Sequence, residues 1–256
     1  MLAPAQEHAP HSAGAIPASL PDAPAPQIAA TDDVTVRNTP RNLLHDQEAI
    51  WTSPARVRTR DLEWLVPLAA AAGVAFATDR HTMTQVVSRN PSFNQASDNA
   101  SNVLIGGWIA APVAVYGFGR IQQNEHARQA GILTGESMVD GVVIEEALKV
   151  ASMRERPGVD DARGHFFQSN VGIDSSFPSS HSLLAWSAAS ALTGEYPAFW
   201  TQFALYSAAT GVSLTRVMGQ QHFPSDVVVG SSLGWLIGHN VVRRHHREHK
   251  APSTIP

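Results

Sequence analysis

From about residue 42 onward, apolar residues recur at the spacing of an α-helix rather than of a β-strand. A short amphipathic helix is predicted around Leu43 to Trp51, ending near Pro54. Six longer helical stretches follow, at about residues 61–78, 101–119, 128–153, 179–193, 197–215 and 225–243. No segment alternates apolar and polar residues for long enough to predict a strand. The pattern therefore predicts an all-α protein built as a six-helix bundle.

The two ends of the chain lack this periodicity. Residues 1–41 are rich in Ala, Pro, Ser and His, and we expect a disordered leader because such a segment buries too little apolar surface to fold. No basic segment followed by an apolar stretch indicates a signal peptide there. We expect the helical domain over 42–245 and a disordered basic tail over 246–256.

The apolar stretches leave membrane insertion open. Residues 103–119 carry no charge until the helix ends, but 17 residues is the lower limit of a spanning helix. Residues 64–77 are apolar but shorter. The third long helix carries acidic residues that would be costly in hydrocarbon, namely Glu136, Asp140, Glu145 and Glu146. A soluble or peripheral bundle explains the same pattern, and the basic run at 243–247 suits either an anionic lipid surface or a solvated helix end.

Composition narrows the functional classes. A net charge of -4 gives no sign of the basic face that nucleic-acid binding needs, so we expect no nucleic-acid partner. The chain has no cysteine, which excludes disulfides and thiolate chemistry. Lysine is almost absent, with only Lys149 and Lys250 among 18 basic residues, so the one internal lysine becomes a candidate for function.

A first cluster pairs Lys149 with Arg156, followed by Pro157. Seven residues are close to two helical turns, so the two side chains are predicted on one helix face, about 10 Å apart along the axis. Two long cationic side chains placed in this way can converge on one anion. A solvated helix end is the alternative interpretation of this pair.

A second cluster lies at Pro178-Ser179-Ser180-His181, directly before an apolar run. Serines in this position predict a helix N-terminus, where free N–H groups and the helix dipole attract anions. His181 would then lie beside the bound anion. The alternative is an ordinary serine N-cap with an exposed histidine.

A third cluster contains Thr215-Arg216, then His222 and Asp226. The last two are four residues apart, a spacing at which a carboxylate can hold an imidazole N–H. Such a bond fixes the tautomer and leaves the other nitrogen free to attack an electrophile. A surface His–Asp pair is the alternative.

Together, the three clusters resemble the signature of the type 2 phosphatidic acid phosphatase and vanadium haloperoxidase superfamily: Lys-x6-Arg-Pro, Pro-Ser-Gly-His and Ser-Arg-x5-His-x3-Asp. The resemblance extends over roughly 42–245. Two positions depart from it, because Ser180 replaces the family glycine and Thr215 replaces a serine. Neither change removes a catalytic group, so we expect both to be tolerated.

The resemblance implies a role for each matched residue. His222 would attack phosphorus and become a phosphohistidine, Asp226 would orient it, and His181 would protonate the leaving oxygen and then activate water. The phosphate oxygens would be bound by Lys149, Arg156, Arg216, Ser179 and Ser180, with the backbone N–H groups of 179–181. No carboxylate cluster in the sequence indicates a metal, so no metal or other cofactor is expected.

The substrate is less defined than the reaction. The resemblance favours a phosphate ester, with lipid phosphates such as phosphatidic acid preferred and a cell-envelope location, periplasmic or at the inner membrane. The alternatives are a soluble non-specific acid phosphatase, a vanadium-dependent haloperoxidase and a non-catalytic phosphate-binding membrane protein. Nothing in the sequence indicates the oligomeric state.

Overall fold

The structure is a computed structural model that describes residues 34–248. Within that range it contains α-helices and short 3-10 and π turns, and no strand. The helices are α1 (Thr39–Thr52), α2 (Leu62–His81), α3 (Pro91–Ile121), α4 (Glu125–Ser152), α5 (Ser180–Glu195), α6 (Phe199–Met218) and α7 (Pro224–Glu248). The predicted all-α bundle is confirmed, with the short N-terminal helix added to six longer ones. Most of the predicted leader and tail, 1–33 and 249–256, lie outside the described residues.

Helix ends differ from the prediction in ways that local chemistry explains. α3 begins ten residues before the predicted start because Asn90 caps it, its Oδ1 accepting from the N–H groups of Ser92 and Phe93 at 3.0 and 3.3 Å. α4 ends at Ser152 because Met153 adopts a left-handed conformation with φ of 41°. α1 starts inside the predicted leader, and α7 continues past 245.

The core is organised around α5, which packs against α3, α4, α6 and α7. Small residues allow this close packing, and Ala185, Ala188 and Ala189 are fully buried. On α7, Gly234 and Gly238 lie directly against backbone atoms of α5, so a side chain there would collide with it. A Cβ at Gly230 would come within 2.7 Å of the Ser179 carbonyl oxygen. The glycines therefore hold the N-terminal ends of α5 and α7 side by side.

Two segments of the described chain, Thr59–Val86 and Pro91–Ile121, are long and apolar enough to cross a membrane. They include both stretches singled out from the sequence. Only 6% and 22% of their most apolar windows are buried within the bundle. Exposed apolar side chains on α3 include Val103 and Val113, at 76% and 73% exposure. The length and composition of these two segments are thus weak evidence for membrane association.

Candidate active site

Lys149 lies near the C-terminal end of α4, beside the start of α5. The lysine side chain is largely buried, and its Nζ pairs with Glu145 Oε1 at 2.5 Å. The same carboxylate oxygen accepts a hydrogen bond from Ser180 Oγ at 2.5 Å. The serine that replaces the family glycine has therefore gained a specific partner, and Glu145 connects the first cluster to the second.

Arg156 does not lie on α4, which corrects the prediction that it shares a helix face with Lys149. Because α4 ends at Ser152, Arg156 lies in the following connection. Its Nη1 donates to the carbonyl oxygen of Gln221 at 3.2 Å, and its Nη2 pairs with Asp174 at 2.9 Å. The guanidinium is held next to the third cluster by these contacts instead.

The second cluster forms the predicted N-terminus of α5. Ser179 is the N-cap residue and is fully buried. Its N–H donates to the carbonyl oxygen of Asp226 at 3.1 Å, so this group is already used within the protein. His181 lies in the first turn, and its Nε2 is 3.1 Å from Asn102 Oδ1 on α3. The N–H groups of this first turn have no acceptor inside the helix.

His222 lies between α6 and α7 and is 2% exposed. Its Nδ1 is 2.7 Å from the carbonyl oxygen of Ser176. A carbonyl only accepts, so Nδ1 carries the proton and Nε2 keeps the free electron pair. The Asp226 carboxylate is 3.8 Å from the same nitrogen. Ser176 therefore holds the imidazole directly, whereas the sequence assigned this contact to Asp226.

Asp226 accepts from other groups. Its Oδ2 accepts from the N–H of Phe223 at 2.8 Å, and its Oδ1 pairs with Arg154 Nη1 at 2.5 Å. Arg154 also pairs with Asp79 on α2 at 2.7 Å and is only 3% exposed. The carboxylate thus fixes the first turn of α7 and lies in a buried ion network below the histidine.

Arg216, near the end of α6, is 5% exposed and pairs with Asp98 Oδ1 on α3 at 2.5 Å. Its Nε is buried and has no hydrogen-bond partner among the described residues. The Thr215 hydroxyl donates back to the carbonyl oxygens of its own helix, at 2.8 Å to Val212. Arg216 is consequently the member of this pair that offers donors to a ligand.

The electrostatics show that these separate clusters share one environment. Burial above all, together with the charges of Arg216, His222 and Lys149, lowers the pKa of His181 to about 4, and Asp98 opposes this shift. Burial also lowers the pKa of His222, although Asp226 raises it. Burial and Arg156 lower the pKa of Arg216, against Asp98. Two neutral imidazoles thus lie among three cations, a combination suited to an oxyanion.

Sequence reasoning missed four residues of this centre: Glu145, Arg154, Asp98 and Asn102. The last two are four residues apart, so they lie on one face of α3. The segment around them, 97–102, is polar at every position except Ala100, so no sequence signal singles them out. Arg154 stands two residues before the Arg156-Pro157 pair. Nothing in the local pattern distinguishes it from a solvated arginine.

The fold and the centre define a helical-bundle protein in which two histidines lie among cationic side chains. A family model described as the PAP2 superfamily matches residues 130–250, which include every predicted site residue from Lys149 to Asp226. Over this region, which is slightly less than half of the chain, the sequence is similar to the PAP2 superfamily. The match confirms the resemblance carried by the three clusters and supports a phosphatase-type function. No curated protein and no solved structure matches the chain.

Proposed function

We propose that the protein is a phosphatase that hydrolyses phosphate esters without a catalytic metal, through a phosphohistidine at His222. The observation that carries the proposal is the bond from His222 Nδ1 to the Ser176 carbonyl oxygen at 2.7 Å. It presents a neutral Nε2 to a centre where Arg216 and Lys149 supply positive charge. Phosphoryl transfer needs in-line positioning and charge stabilisation above all, and the cations of this centre supply the charge stabilisation.

In the first step the electron pair of His222 Nε2 forms a bond to phosphorus while the bond to the alcohol oxygen breaks. His181 gives its proton to that oxygen. In the second step water attacks phosphorus, His181 takes a proton from it, and the P–N electron pair returns to His222. Asp226, at 3.8 Å, stabilises the positive imidazole of the intermediate.

The site's surroundings support a lipid phosphate as the substrate. α3 contributes Asp98 and Asn102 to the centre and also exposes apolar side chains such as Val103. The connection that holds Arg156 exposes Phe167 and Ile173, at 72% and 71%. An acyl chain leaving the phosphate site would meet these surfaces. This interpretation fits a cell-envelope location. The low pKa of His181 favours the second candidate, an acid phosphatase acting on soluble phosphomonoesters.

The test is turnover by the purified full chain and by His222→Ala, with p-nitrophenyl phosphate and with phosphatidic acid in mixed micelles. We expect the wild-type protein to hydrolyse the substrate in the presence of a chelator, at a temperature well below unfolding. His222→Ala should lower the turnover rate by at least about 1000-fold. Phosphoenzyme trapped during turnover should be acid-labile and stable in alkali. Wild-type-like turnover by His222→Ala would end the proposal.

The same assays separate the rivals. A preference for phosphatidic acid in kcat/KM supports the lipid assignment, and a preference for small soluble esters supports the acid phosphatase. Bromide oxidation after vanadate loading, without phosphatase activity, would identify a haloperoxidase. Phosphate binding without any turnover would identify a non-catalytic binding protein.

A further inference from the structure

A second group of buried polar residues lies where α1, α4 and α7 meet. Asp46 comes from α1, Glu136 and Asp140 from α4, and His245 from α7. Their exposures are 3%, 1%, 1% and 5%. Glu136 precedes Lys149 by 13 residues on α4, which is about 20 Å along the helix axis. The group is therefore separate from the phosphate centre.

The hydrogen bonds around this group leave part of its acceptor capacity unused. Asn42 donates to Glu136 Oε1 at 3.2 Å, and Gln47 donates to Asp140 Oδ1 at 2.8 Å. The second oxygens, Glu136 Oε2 and Asp140 Oδ2, are buried and accept no hydrogen bond from the described residues. Glu136 Oε2 lies 3.6 Å from His245 Nε2, so the unsatisfied oxygen is directed at another potential ligand.

Basic residues also lie around this group. Arg244 Nη1 is 3.1 Å from Asp46 Oδ1. Arg41 and His45 lie at the rim of the adjoining cavity. A buried carboxylate oxygen that accepts no hydrogen bond is costly unless a proton or a cation lies beside it, and this applies to Glu136 Oε2 and Asp140 Oδ2.

We propose that Asp46, Glu136 and His245 form a binding site for a divalent metal ion of the zinc class. One ligand atom of each residue lies within 4.8 Å of the others, so small side-chain movements bring all three to one ion. One imidazole nitrogen and two carboxylate oxygens are ligands that zinc accepts at about 2.0–2.2 Å. A cavity of about 180 Å³, lined in part by Asp46 and His245, leaves room for a water at the fourth position.

The consequence is structural. The ion would fasten the N-terminal helix α1 and the end of α7 to α4, the helix that carries Lys149. Asp140 would remain as a neighbouring carboxylate that adds negative charge without binding the ion. This inference does not rest on the proposed phosphatase activity.

Zinc binding to the metal-free full chain is the test, by native mass spectrometry and by calorimetric titration at neutral pH. We expect one zinc ion per chain and a higher thermal midpoint when it is bound. Glu136→Gln should weaken zinc binding about 100-fold and abolish the rise in thermal midpoint. Gln resembles the protonated carboxyl in shape, so this variant should keep the wild-type helical circular dichroism. His245→Gln provides a second variant with the same expected loss.

The matched control is His165→Gln, which alters a more exposed group of the same composition, Glu155, Asp160 and His165. Zinc stoichiometry should be unchanged in this variant. Loss of the ion in His165→Gln but not in Glu136→Gln would overturn the proposal. So would a metal-free chain that binds no zinc in either measurement.

Discussion

In the proposed reaction His181 has to donate a proton, yet an imidazole with a pKa of about 4 is neutral in the free protein at pH 7. Desolvation is the largest cause, and the charges of Arg216 and Lys149 are others. A bound phosphate cancels that positive potential, so the pKa of His181 should rise in the complex. Substrate binding thus prepares the acid that the reaction needs.

This argument predicts the pH profile of the enzyme. Because kcat/KM reports the free protein, it should fall for an alkyl phosphate as pH rises above about 4, while kcat should persist to higher pH. His181→Ala should lower kcat for alkyl phosphates by about 100-fold or more, and for p-nitrophenyl phosphate by less than about tenfold, since that leaving group needs no proton. Equal losses for both, or an unchanged alkaline limb in the variant, would remove His181 from this role.

Asp98 predicts a second effect, on affinity. Its carboxylate occupies Arg216 Nη1 at 2.5 Å, where a phosphate oxygen is expected to bind. Asp98→Asn should therefore tighten inhibition by inorganic phosphate by about tenfold, because a like charge beside the ligand is removed. Asp174→Asn is the matched control. That residue pairs with Arg156 but is 80% exposed, and solvent screens it, so its Ki should change little. A weaker Ki in Asp98→Asn would mean that Asp98 positions Arg216 for substrate.

At the scale of elements, the helix pattern and the chemistry at helix ends could be predicted from the sequence. Serine before an apolar run placed the start of α5 correctly, and the two histidines lie in one centre. Long-range contacts could not be predicted. The carbonyl of Ser176 holds His222 because of where the connection after α4 runs, and a backbone acceptor has no sequence signature. Arg156 was misplaced because the left-handed Met153 ends α4 before the helix reaches Arg156.

Arg154 joins α2 to α7, and no local sequence pattern predicts that these helices are linked. It pairs with Asp79 of α2 and with Asp226 of α7, and its guanidinium carbon lies 4.1 Å from the ring centroid of Phe223. Arg154→Met keeps the apolar stem but leaves two buried carboxylates without their cation. We expect a loss of about 3–5 kcal/mol in the free energy of unfolding, measured by urea denaturation.

The control for this prediction is Arg80→Met, because Arg80 makes a 2.8 Å ion pair with Asp161 in which both side chains are more than half exposed. Little change in the urea midpoint is expected there. If the two variants lost equal stability, the buried network would not be what joins α2 to α7.

At the scale of the whole molecule, the candidate site and the exposed apolar surface share one helix, α3. α3 reaches the candidate active site through Asp98 and Asn102, whereas much of the same helix is exposed and apolar. In water, an exposed apolar surface of this kind promotes aggregation. In lipid, the same surface would hold the site close to a substrate in the membrane. Three of the four acidic residues of α4 that weighed against insertion, Glu136, Asp140 and Glu145, are buried within the bundle and do not oppose this. Glu146 is exposed.

The location is decided by whether the exposed face of α3 meets lipid or water. Val113 is 73% exposed near the middle of its uncharged stretch. If this face lies in hydrocarbon, the wild-type protein should need detergent for extraction from the membrane pellet. Val113→Arg should then lower the pelleted fraction, since a charge at the centre of a spanning helix costs about 2.5–3.5 kcal/mol. Val36→Arg, at a 61% exposed position outside both apolar segments, should leave it unchanged. A wild-type chain that stays in the supernatant without detergent would assign the centre to soluble esters instead, because a lipid substrate would then have no surface along which to reach it.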